Sequence, residues 1–420
     1  MTARRQAGEG GISAYGTKAG PRYRIHWREP VDPDQPSGPR RQRTKNGFHD
    51  KRTAAAELRS ILSSQDAGRY VRSTDVTVGE YARTWIATKR LSPSTEAMYR
   101  RYLRLHVDPQ IGHLAVKEVR PSTLAGLYRQ LEASGRRQAG HEGGGLSPNT
   151  VLKVHVLVGA VLQSAVDDQL ILANPARHPR ASPPTPRQVR QAAPELRPWT
   201  AEELRRFLRF AESRIDDPLR HAWTLLAYTG LRRGELLGLR WADVDMAGAA
   251  LSIRRAMVEI RERGEPSKVV ESLTKSGRAR VVLLGRAALD AVRARRSDAA
   301  QINVALLGKE RPVFLRDDGR AFSPDALLKQ FKRTLAAHNS TCDRGDRLPD
   351  VRLHDLRHTH ATMLLQAGVH PRVVQERLGH RSITVTLETY SHVLPSSQRS
   401  AADALDGIRS ADDLEAQGGQ

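Results

Sequence analysis

Residues 352–392 read RLHDLRHTHATMLLQAGVHPRVVQERLGHRSITVTLETYSH and combine histidines, arginines and a late tyrosine in one short stretch. His354 and Arg357 are three residues apart. Because helix positions i and i+3 share a face, both side chains can point at one anion. His380 follows a Leu-Gly pair, and Tyr390 lies ten residues further on, placed as a nucleophile would be. The stretch predicts a phosphate site with a tyrosine beside it.

The histidines of this stretch also allow a metal site as an alternative. His354 and His358 are four residues apart, and a metal-dependent nuclease using residues 354–360 is a competing interpretation that sensitivity to EDTA would favour. No Glu follows the first histidine in the HExxH manner, which disfavours it. Cys342 is the one cysteine, so neither an intramolecular disulfide nor a multi-cysteine zinc site is possible. We expect no metal and no other cofactor.

The charge of the chain indicates a polyanionic partner. Its 420 residues include 68 Lys and Arg against 46 Asp and Glu, which gives a net charge of +22 and a pI near 10.8. A GC-rich genome explains a preference for arginine but not the shortage of acidic residues. Since each neutralised phosphate releases counterions, we expect binding to double-stranded DNA with a steep salt dependence.

The N-terminus and the hydropathy pattern predict a cytoplasmic, nucleoid-associated protein with no membrane segment. The start MTARRQAGEGG lacks the apolar core of a signal peptide, and no apolar run approaches membrane-spanning length. There is also no GxxxxGK[ST] phosphate loop, because Gly308 and Lys309 are followed by Glu310. Any phosphoryl chemistry is therefore expected to proceed without ATP.

Residues 1–73 are predicted to form a small module of β-sheet plus one helix. Residues 23–28 alternate as a strand should, a basic strand follows at 40–45, and a helix covers 51–63. A solvated, disordered arm is the alternative. A sheet with cationic side chains can lie in a groove of DNA. The candidate DNA contacts of this module are Arg24, Arg28, Arg41 and Arg43.

Residues 74–181 are predicted to be all-helical. Ser92-Pro93 and Ser147-Pro148 are helix starts, with proline at the first helical position. Residues 182–197 hold four prolines and three arginines and little apolar content, so they cannot continue a helix and are predicted to be a linker. The candidate DNA contacts on the first long helix are Arg100, Arg101 and Arg104. The alternative is that these arginines form a solvated helix face without contacting DNA.

Residues 198–395 are predicted to form a second large domain. It opens with a capping box at 200–203, and strands are expected at 250–260 and 279–284 with a turn-rich stretch between them. Residues 396–420 are an acidic tail. The expected fold class is mainly α with small antiparallel β-sheets, divided among several domains.

Two arginines suit a reaction at a phosphodiester. A phosphate attacked by a side-chain oxygen carries charge on its equatorial oxygens, to which a planar guanidinium can donate two parallel hydrogen bonds. Arg357 is one candidate. Arg232 is the other, because it lies where one predicted helix ends and the next begins. Taken alone, Arg232 would more often be an ordinary surface arginine.

The tyrosine needs partners for proton transfer. A free tyrosine has a pKa of about 10, so Tyr390 requires a base or cationic surroundings to ionise. His354 and His380 have suitable intrinsic pKa values and can also donate hydrogen bonds to phosphate. Lys275, in a turn between predicted strands, can reach a leaving oxygen as a general acid. Taken alone, a lysine in such a turn is more often solvated.

The order of these motifs resembles the tyrosine recombinase (phage integrase) family. TGLRRGE, TKSG, HDLRH, LGH and a tyrosine ten residues later follow one another as they do in that family. The resemblance is strong over residues 198–395, where it implies a catalytic domain. It is looser over 74–181, where it implies a helical core-binding (SAM-like) domain. Residues 1–73 resemble the arm-site-binding module of integrases from phages and integrative elements, and this is the weakest part.

The resemblance implies a reaction and a role for each candidate. The expected reaction is site-specific cutting and rejoining of DNA through a 3′-phosphotyrosyl link and a Holliday junction, which integrates and excises a phage or mobile element. By position, the resemblance makes Tyr390 the nucleophile, with Arg232 and Arg357 holding the scissile phosphate. His354 would transfer a proton, and His380 would donate to a phosphate oxygen. Lys275 would protonate the leaving 5′-oxygen, and Glu235 would support Arg232.

The resemblance also implies partners. Four protomers are expected to act as a homotetramer on two duplexes at attachment sites, and an excisionase and a host DNA-bending protein are compatible further partners. We hypothesise that the acidic tail is exchanged between protomers. Normal assembly on DNA after truncation at Pro395 would argue against that exchange.

Residues 382–386 have strand propensity, whereas the family has a helix there, and we follow the family. The remaining alternatives are a sequence-specific DNA-binding regulator without catalysis and a type IB topoisomerase. A regulator gives no reason for the series of Arg, Lys, His and Tyr residues, and the basic N-terminal module favours a recombinase with defined sites.

Overall fold

Two units make up the chain, residues 1–193 and 194–420, and each is described by itself. A computed structural model of the protein describes residues 10–18, 20–30, 40–66, 75–136, 144–195, 197–261, 266–273 and 279–390.

The first unit begins with a three-stranded antiparallel sheet in the order β1-β2-β3, covered by one helix. On the middle strand, Ile25 and Trp27 are both buried, because alternate residues of a strand face the same side. They pack against Ala54 and Leu58 of the helix. The sheet and helix are β1 (Gly11–Thr17), β2 (Gly20–Arg28), β3 (Gln42–Phe48) and α1 (Lys51–Asp66).

The predicted elements of this module are present, with shifts. The strand expected at residues 23–28 lies inside β2, and the helix expected at 51–63 is α1. The basic strand runs two or three residues later than expected at each end. Strand β1 was not predicted, because GISAYGT has no alternation of apolar and polar residues that marks one buried face.

The rest of the first unit is helical, as predicted. The side chains of Ser92 and Ser147 accept hydrogen bonds from the backbone N–H groups of Thr95 and Thr150, so both predicted helix starts are N-caps. A core of its own joins these helices. They are α2 (Val78–Thr88), α3 (Pro93–Tyr102), α4 (Asp108–Ile111), α5 (Pro121–Ser134) and α6 (Pro148–Asp167).

Helix α6 is long and apolar enough to cross a membrane, by length and composition alone. This corrects the expectation that no apolar run reaches such a length. Within the described ranges it is the one helix that meets this test. Its buried side chains, including Val154, Leu157 and Leu162, belong to the hydrophobic core of the helical part of the first unit.

The segment 182–197 contains a short helix, α7 (Pro186–Gln191), that the sequence did not predict. Thr185 and Gln188 form a capping box, and Pro186 occupies the first turn, where a missing N–H costs nothing. The division between the two units falls within this segment, at Ala193.

The second unit is mainly helical with two small antiparallel sheets, which confirms the predicted fold class. One sheet has the order β4-β5-β8 and the other pairs β6 with β7. The strands are β4 (Val244–Asp245), β5 (Ala250–Ile253), β6 (Arg255–Ile260), β7 (Lys268–Leu273) and β8 (Arg280–Leu283). The helices are α8 (Ala201–Ser213), α9 (Arg220–Thr229), α10 (Arg233–Gly238), α11 (Arg286–Ile302), α12 (Pro324–Ser340), α13 (Asp355–Gln366), α14 (Pro371–Leu378) and α15 (Ile383–Tyr390).

Four aromatic rings form the centre of this unit. Trp199 lies 5.0 Å from Phe207 between ring centroids, and Trp223 lies 5.6 Å from Phe331. Large aromatic side chains in such tilted contacts contribute much of the burial that holds a core together. These rings pack α8, α9 and α12 together in one hydrophobic core, which also includes Leu356 of α13.

The strands of this unit differ in part from the predicted ones. The run 250–260 is two strands in different sheets rather than one, and β7 occupies part of the stretch expected to be turns. The strand expected at 279–284 is present as β8. Residues 382–386 lie largely in helix α15, as followed from the family and against their strand propensity. Packing of this helix overrides the local preference of its β-branched residues.

Candidate active site

Arg357 lies at the centre of the site, on helix α13, with 3% of its surface exposed. Its Nη1 donates to the carbonyl of Gly230 at 2.6 Å, and its Nη2 donates to the carbonyl of Leu378 at 2.7 Å. These carbonyls end helices α9 and α14, where the helix dipole concentrates negative charge. Burial, followed by the charge of Arg232, lowers the pKa of Arg357 to about 9, so it remains charged at neutral pH.

The two helix ends around Arg357 are both closed by glycines in the left-handed region. Gly230 and Gly379 each have a φ of 66°. A Cβ on Gly230 would lie 2.7 Å from Leu378 and 2.8 Å from His360. Position 230 therefore requires glycine, because its φ is positive and because there is no room for a Cβ atom.

Arg232 and Glu235 are in contact at the start of α10, where the family resemblance implied that Glu235 supports Arg232. The carboxylate of Glu235 accepts from the backbone N–H of Arg232 at 2.9 Å and from its Nη1 at 2.7 Å. The Nη2 of Arg232 lies 3.3 Å from the carbonyl of Gly379, beside the carbonyl that holds Arg357. The two arginines are thereby brought to one corner of the fold.

Arg280, on strand β8, is a residue of this network that the sequence did not reveal. It donates to both carboxylate oxygens of Glu235, at 3.0 and 2.7 Å, and to the carbonyl of Arg377 at 3.0 Å. Burial acts to raise the pKa of Glu235, but the hydrogen bonds and charge of Arg280 and the charge of Arg232 lower it to about 2. Glu235 is therefore a permanent anion that orients two arginines.

His354 and His380 lie in the same cluster. Partial desolvation, followed by the effects of the nearby His358 and Arg357, lowers the pKa of His354 below its usual value. Burial, followed by Arg357 and Arg232, lowers the pKa of His380 to about 4. Both imidazoles are neutral at physiological pH, and each retains one N–H to donate to an anion.

His380 is held from two sides. Its Nδ1 lies 2.8 Å from Oγ1 of Thr386, and its carbonyl accepts from Nε2 of Gln375 at 2.8 Å. Thr386 belongs to α15, so the position of His380 is tied to the helix that carries the tyrosine.

Tyr390 is the last residue of α15 and is 2% exposed. Its ring packs with Leu365, Val374 and Leu378. Its hydroxyl lies 2.7 Å from Nδ1 of His358, a contact that the sequence did not predict. Burial raises the pKa of Tyr390 to about 12, while the charge of Arg357 acts against that rise.

Lys275 falls between β7 and β8 in the sequence and lies outside the described residues, so its role stays a prediction. In the part of the chain that the structure describes, no group of three or more His, Cys, Asp or Glu residues could hold a metal ion. His360 serves as a packing residue between helices. Its Nδ1 lies 2.9 Å from the carbonyl of Ala227, and its Nε2 accepts from Nε of Arg377 at 3.2 Å.

The bonding of His360 predicts how stability changes with pH. Because a carbonyl only accepts, Nδ1 carries the hydrogen and Nε2 offers its lone pair to Arg377, so the ring is neutral. A second proton would face the Arg377 cation, and burial, followed by that charge, lowers the pKa of His360 to about 4. The unfolded chain takes up this proton near pH 6.5, and the folded chain does not.

We expect the thermal midpoint of the protein to fall as the pH is lowered from 7 to 5. Between these values the unfolded state binds more protons than the folded state, so stability decreases with falling pH, by up to about 2 kcal/mol for His360 at pH 5. A His360→Gln variant cannot titrate and should show a flatter profile in thermal denaturation. An equally steep profile for that variant would contradict the assignment.

The candidate DNA contacts of the first unit lie on its surface. Arg24 donates to Oγ of Ser13 at 2.9 Å, and Arg43 pairs with Glu29 at 3.0 Å. Arg100 pairs with Glu96 at 2.8 Å within one helix. The pair of Arg100 and Glu96 is exposed, and such a pair contributes little stability and can be exchanged for phosphate. The other exposed candidates are Arg28, Arg41, Arg101 and Arg104.

Known proteins share both the sequence and the fold of this chain. Residues 198–397 match the phage integrase family. The tyrosine recombinase XerC-like protein of Caldanaerobacter subterraneus is 26% identical over 377 residues, covering 85% of this chain and 90% of that protein. The integrase of Mycobacterium phage L5 is 26% identical over 352 residues, covering 83% and 84%.

A solved structure shows the same fold. The Tn1549 transposon integrase, in complex with a circular intermediate DNA, aligns with a TM-score of 0.63 at 21% identity, over 79% of this chain and 99% of that one. Residues 198–397 are therefore a domain of the phage integrase family, and most of the chain is similar in sequence to tyrosine recombinases and phage integrases.

Proposed function

We propose that this chain is a site-specific DNA recombinase, an integrase that cuts and rejoins DNA strands through a 3′-phosphotyrosyl intermediate. One observation carries the proposal: a buried tyrosine hydroxyl lies in the same cluster as Arg357, Arg232 and three neutral histidines. Keeping the bond energy in a protein–DNA ester allows the strand to be rejoined without ATP. The integrases and recombinases among its relatives support the same conclusion.

The proposed roles follow from the chemistry of each group. Arg232 and Arg357 bind the non-bridging oxygens of the scissile phosphate, and Glu235 orients Arg232. His380 donates to a phosphate oxygen and His354 takes part in proton transfer. Lys275 protonates the leaving 5′-oxygen, which frees a 5′-hydroxyl, while Tyr390 becomes linked to the 3′-phosphate.

The proposal extends to the assembly. Four protomers on two attachment-site duplexes exchange strands in two rounds through a Holliday junction, integrating and excising a phage or mobile element. The protein acts on DNA in the cytoplasm and nucleoid, and an excisionase and a host DNA-bending protein are its proposed accessory partners. The parts of the chain are the arm-binding module (1–73), the core-binding domain (74–181), the linker (182–197), the catalytic domain (198–395) and the tail (396–420).

Covalent trapping tests the proposal. The substrate is a nicked duplex that carries the junction between the element encoding this chain and its host chromosome, and the reaction contains EDTA. The expected result is a protein–DNA adduct that survives denaturation in SDS. Tight binding without an adduct would support the regulator instead, and an adduct that forms only when metal is added would support the nuclease.

DNA binding should weaken steeply with salt. Each phosphate contact neutralised by Lys or Arg contributes a slope of about −0.9 to log K against log [salt] for duplex DNA. With 68 basic residues in the chain, we expect at least several such contacts and a loss of on the order of 10³ in affinity between 50 and 200 mM salt. Fluorescence anisotropy over this range measures the slope. A flat response would exclude a DNA-wrapping surface.

A further inference from the structure

The hydroxyl of Tyr390 has a specific partner in His358. Its oxygen lies 2.7 Å from Nδ1 of the imidazole, and the two ring centroids are 5.7 Å apart. At neutral pH the buried hydroxyl is protonated, so it donates this hydrogen bond when Nδ1 carries the lone pair. His358 is therefore in contact with the atom that would attack the phosphorus.

The other histidines of the site are engaged elsewhere. His354 contacts the edge of His358 with ring centroids 5.2 Å apart, and His380 uses its Nδ1 toward Thr386 at 2.8 Å. His360 is bonded to the carbonyl of Ala227 and to Arg377. Of the four, His358 has the geometry for direct proton exchange with Tyr390.

The surroundings of His358 keep its ring neutral at rest but place a carboxylate nearby that can stabilise a transient positive charge. Burial lowers the pKa of His358, so the ring is neutral near pH 7, while the carboxylate of Asp355 acts to raise that pKa. Arg352 fixes this carboxylate, donating to it at 2.8 Å. The charged and titratable groups that face His358 are His354, Asp355, Arg352, Arg357, His380 and Tyr390.

From this geometry we propose that His358 is the catalytic base for the nucleophile. It accepts the proton of Tyr390 as the hydroxyl attacks the phosphorus, and it returns that proton when the strand is rejoined. The inference rests on the proposed recombinase function. Because Arg357 and His358 are adjacent on α13, one rigid helix fixes both the group that binds the phosphate and the group that takes the proton.

The step balances in atoms and charge. As the Tyr390 oxygen forms its bond to phosphorus, its proton passes to Nδ1 of His358, which becomes an imidazolium facing Asp355. The bond between phosphorus and the 5′-oxygen breaks, and the leaving oxygen takes a proton from the proposed general acid Lys275. On rejoining, a 5′-hydroxyl attacks the phosphotyrosine and returns its proton to Lys275, and the departing phenolate regains its own proton from His358.

The test compares His358→Ala and His358→Gln on the nicked duplex with which the wild type forms its adduct. Removing a general base is expected to slow adduct formation by about 10²–10⁴-fold, with DNA affinity and thermal midpoint close to those of the wild type. Glutamine can accept the hydroxyl hydrogen bond but cannot take the proton, so the Gln variant should be slow as well. If the Ala variant does not fold, the Gln variant carries the test.

Two further readouts separate proton transfer from packing. Free imidazole should partly restore the His358→Ala rate, and the acidic limb of the wild-type pH–rate profile should be absent in that variant. The control His370→Asn removes an exposed histidine of the same unit but keeps a side chain that can cap α14, and it should leave rate and profile unchanged. A wild-type rate in either His358 variant, or a slow Ala variant with no imidazole rescue and an unchanged profile, would overturn the inference. No adduct from the wild type would instead overturn the proposed function.

Discussion

Replacing Tyr390 with phenylalanine should abolish the covalent protein–DNA complex and leave the fold intact. The substitution removes one oxygen, which is the atom proposed to attack the phosphorus, and no other hydroxyl takes its place at the 2.7 Å contact with His358. We expect adduct formation to fall by on the order of 10⁴-fold or more, as when other enzymes lose a nucleophile. Gel electrophoresis in SDS after reaction with the nicked duplex measures this directly.

The same substitution should change stability little. The ring still packs with Leu365, Val374 and Leu378, and the lost hydrogen bond costs about 1 kcal/mol. Binding of the duplex should remain close to that of the wild type. The matched control is Tyr228→Phe, which removes the hydroxyl of an exposed tyrosine on α9 and should retain full activity. Covalent adducts formed by Tyr390→Phe would assign the nucleophile to another residue.

Replacing Glu235 with glutamine should damage both stability and activity. This carboxylate is 1% exposed and accepts hydrogen bonds from Arg232 and Arg280. Glutamine is neutral, and its amide nitrogen would place a donor against a guanidinium donor. Removing one partner of a buried ion pair costs about 3–5 kcal/mol, because the remaining charges stay buried without compensation. Arg232 would also lose the partner that directs it to the phosphate site.

Thermal denaturation and adduct formation together test this prediction. For a unit of this size the expected loss corresponds to a fall of roughly 10 °C in the thermal midpoint. The rate of adduct formation should fall even at temperatures where the variant remains folded. Glu202→Gln is the matched control, since Glu202 forms an exposed pair with Arg205 on α8 and should change stability by less than about 0.5 kcal/mol. A Glu235 variant as stable as this control would show that the network does not hold the site.

Much of the candidate site could be predicted because its signals are short. The three-residue spacing of His354 and Arg357 lies within one helical turn, and the structure places both residues in one cluster. The contact between Glu235 and Arg232 was implied by the motif TGLRRGE through the family resemblance. The helix starts at Ser92 and Ser147 could also be predicted, because an N-cap hydrogen bond joins residues only three apart. The roles of these residues in catalysis stay proposals.

Contacts between distant segments could not be predicted in this way. Arg280 reaches Glu235 across 45 residues, and His358 meets Tyr390 across 32. Neither pair has a spacing that distinguishes it from the many other basic, acidic and aromatic residues of the chain. The division of residues 250–260 into two strands of separate sheets likewise depends on which partner strand each half finds.

The sequence by itself therefore determined the capped helix starts at Ser92 and Ser147 and the mainly helical fold class, because these depend on neighbours within a few positions. It also determined the order of the reactive residues. Only the tertiary structure decided that Tyr390 is buried against His358 and that Arg280 joins Glu235. It likewise decided that Arg357 is held by the carbonyl ends of two helices. These features arise from packing, in which segments far apart in the chain bury apolar surface together and the polar groups between them must find partners.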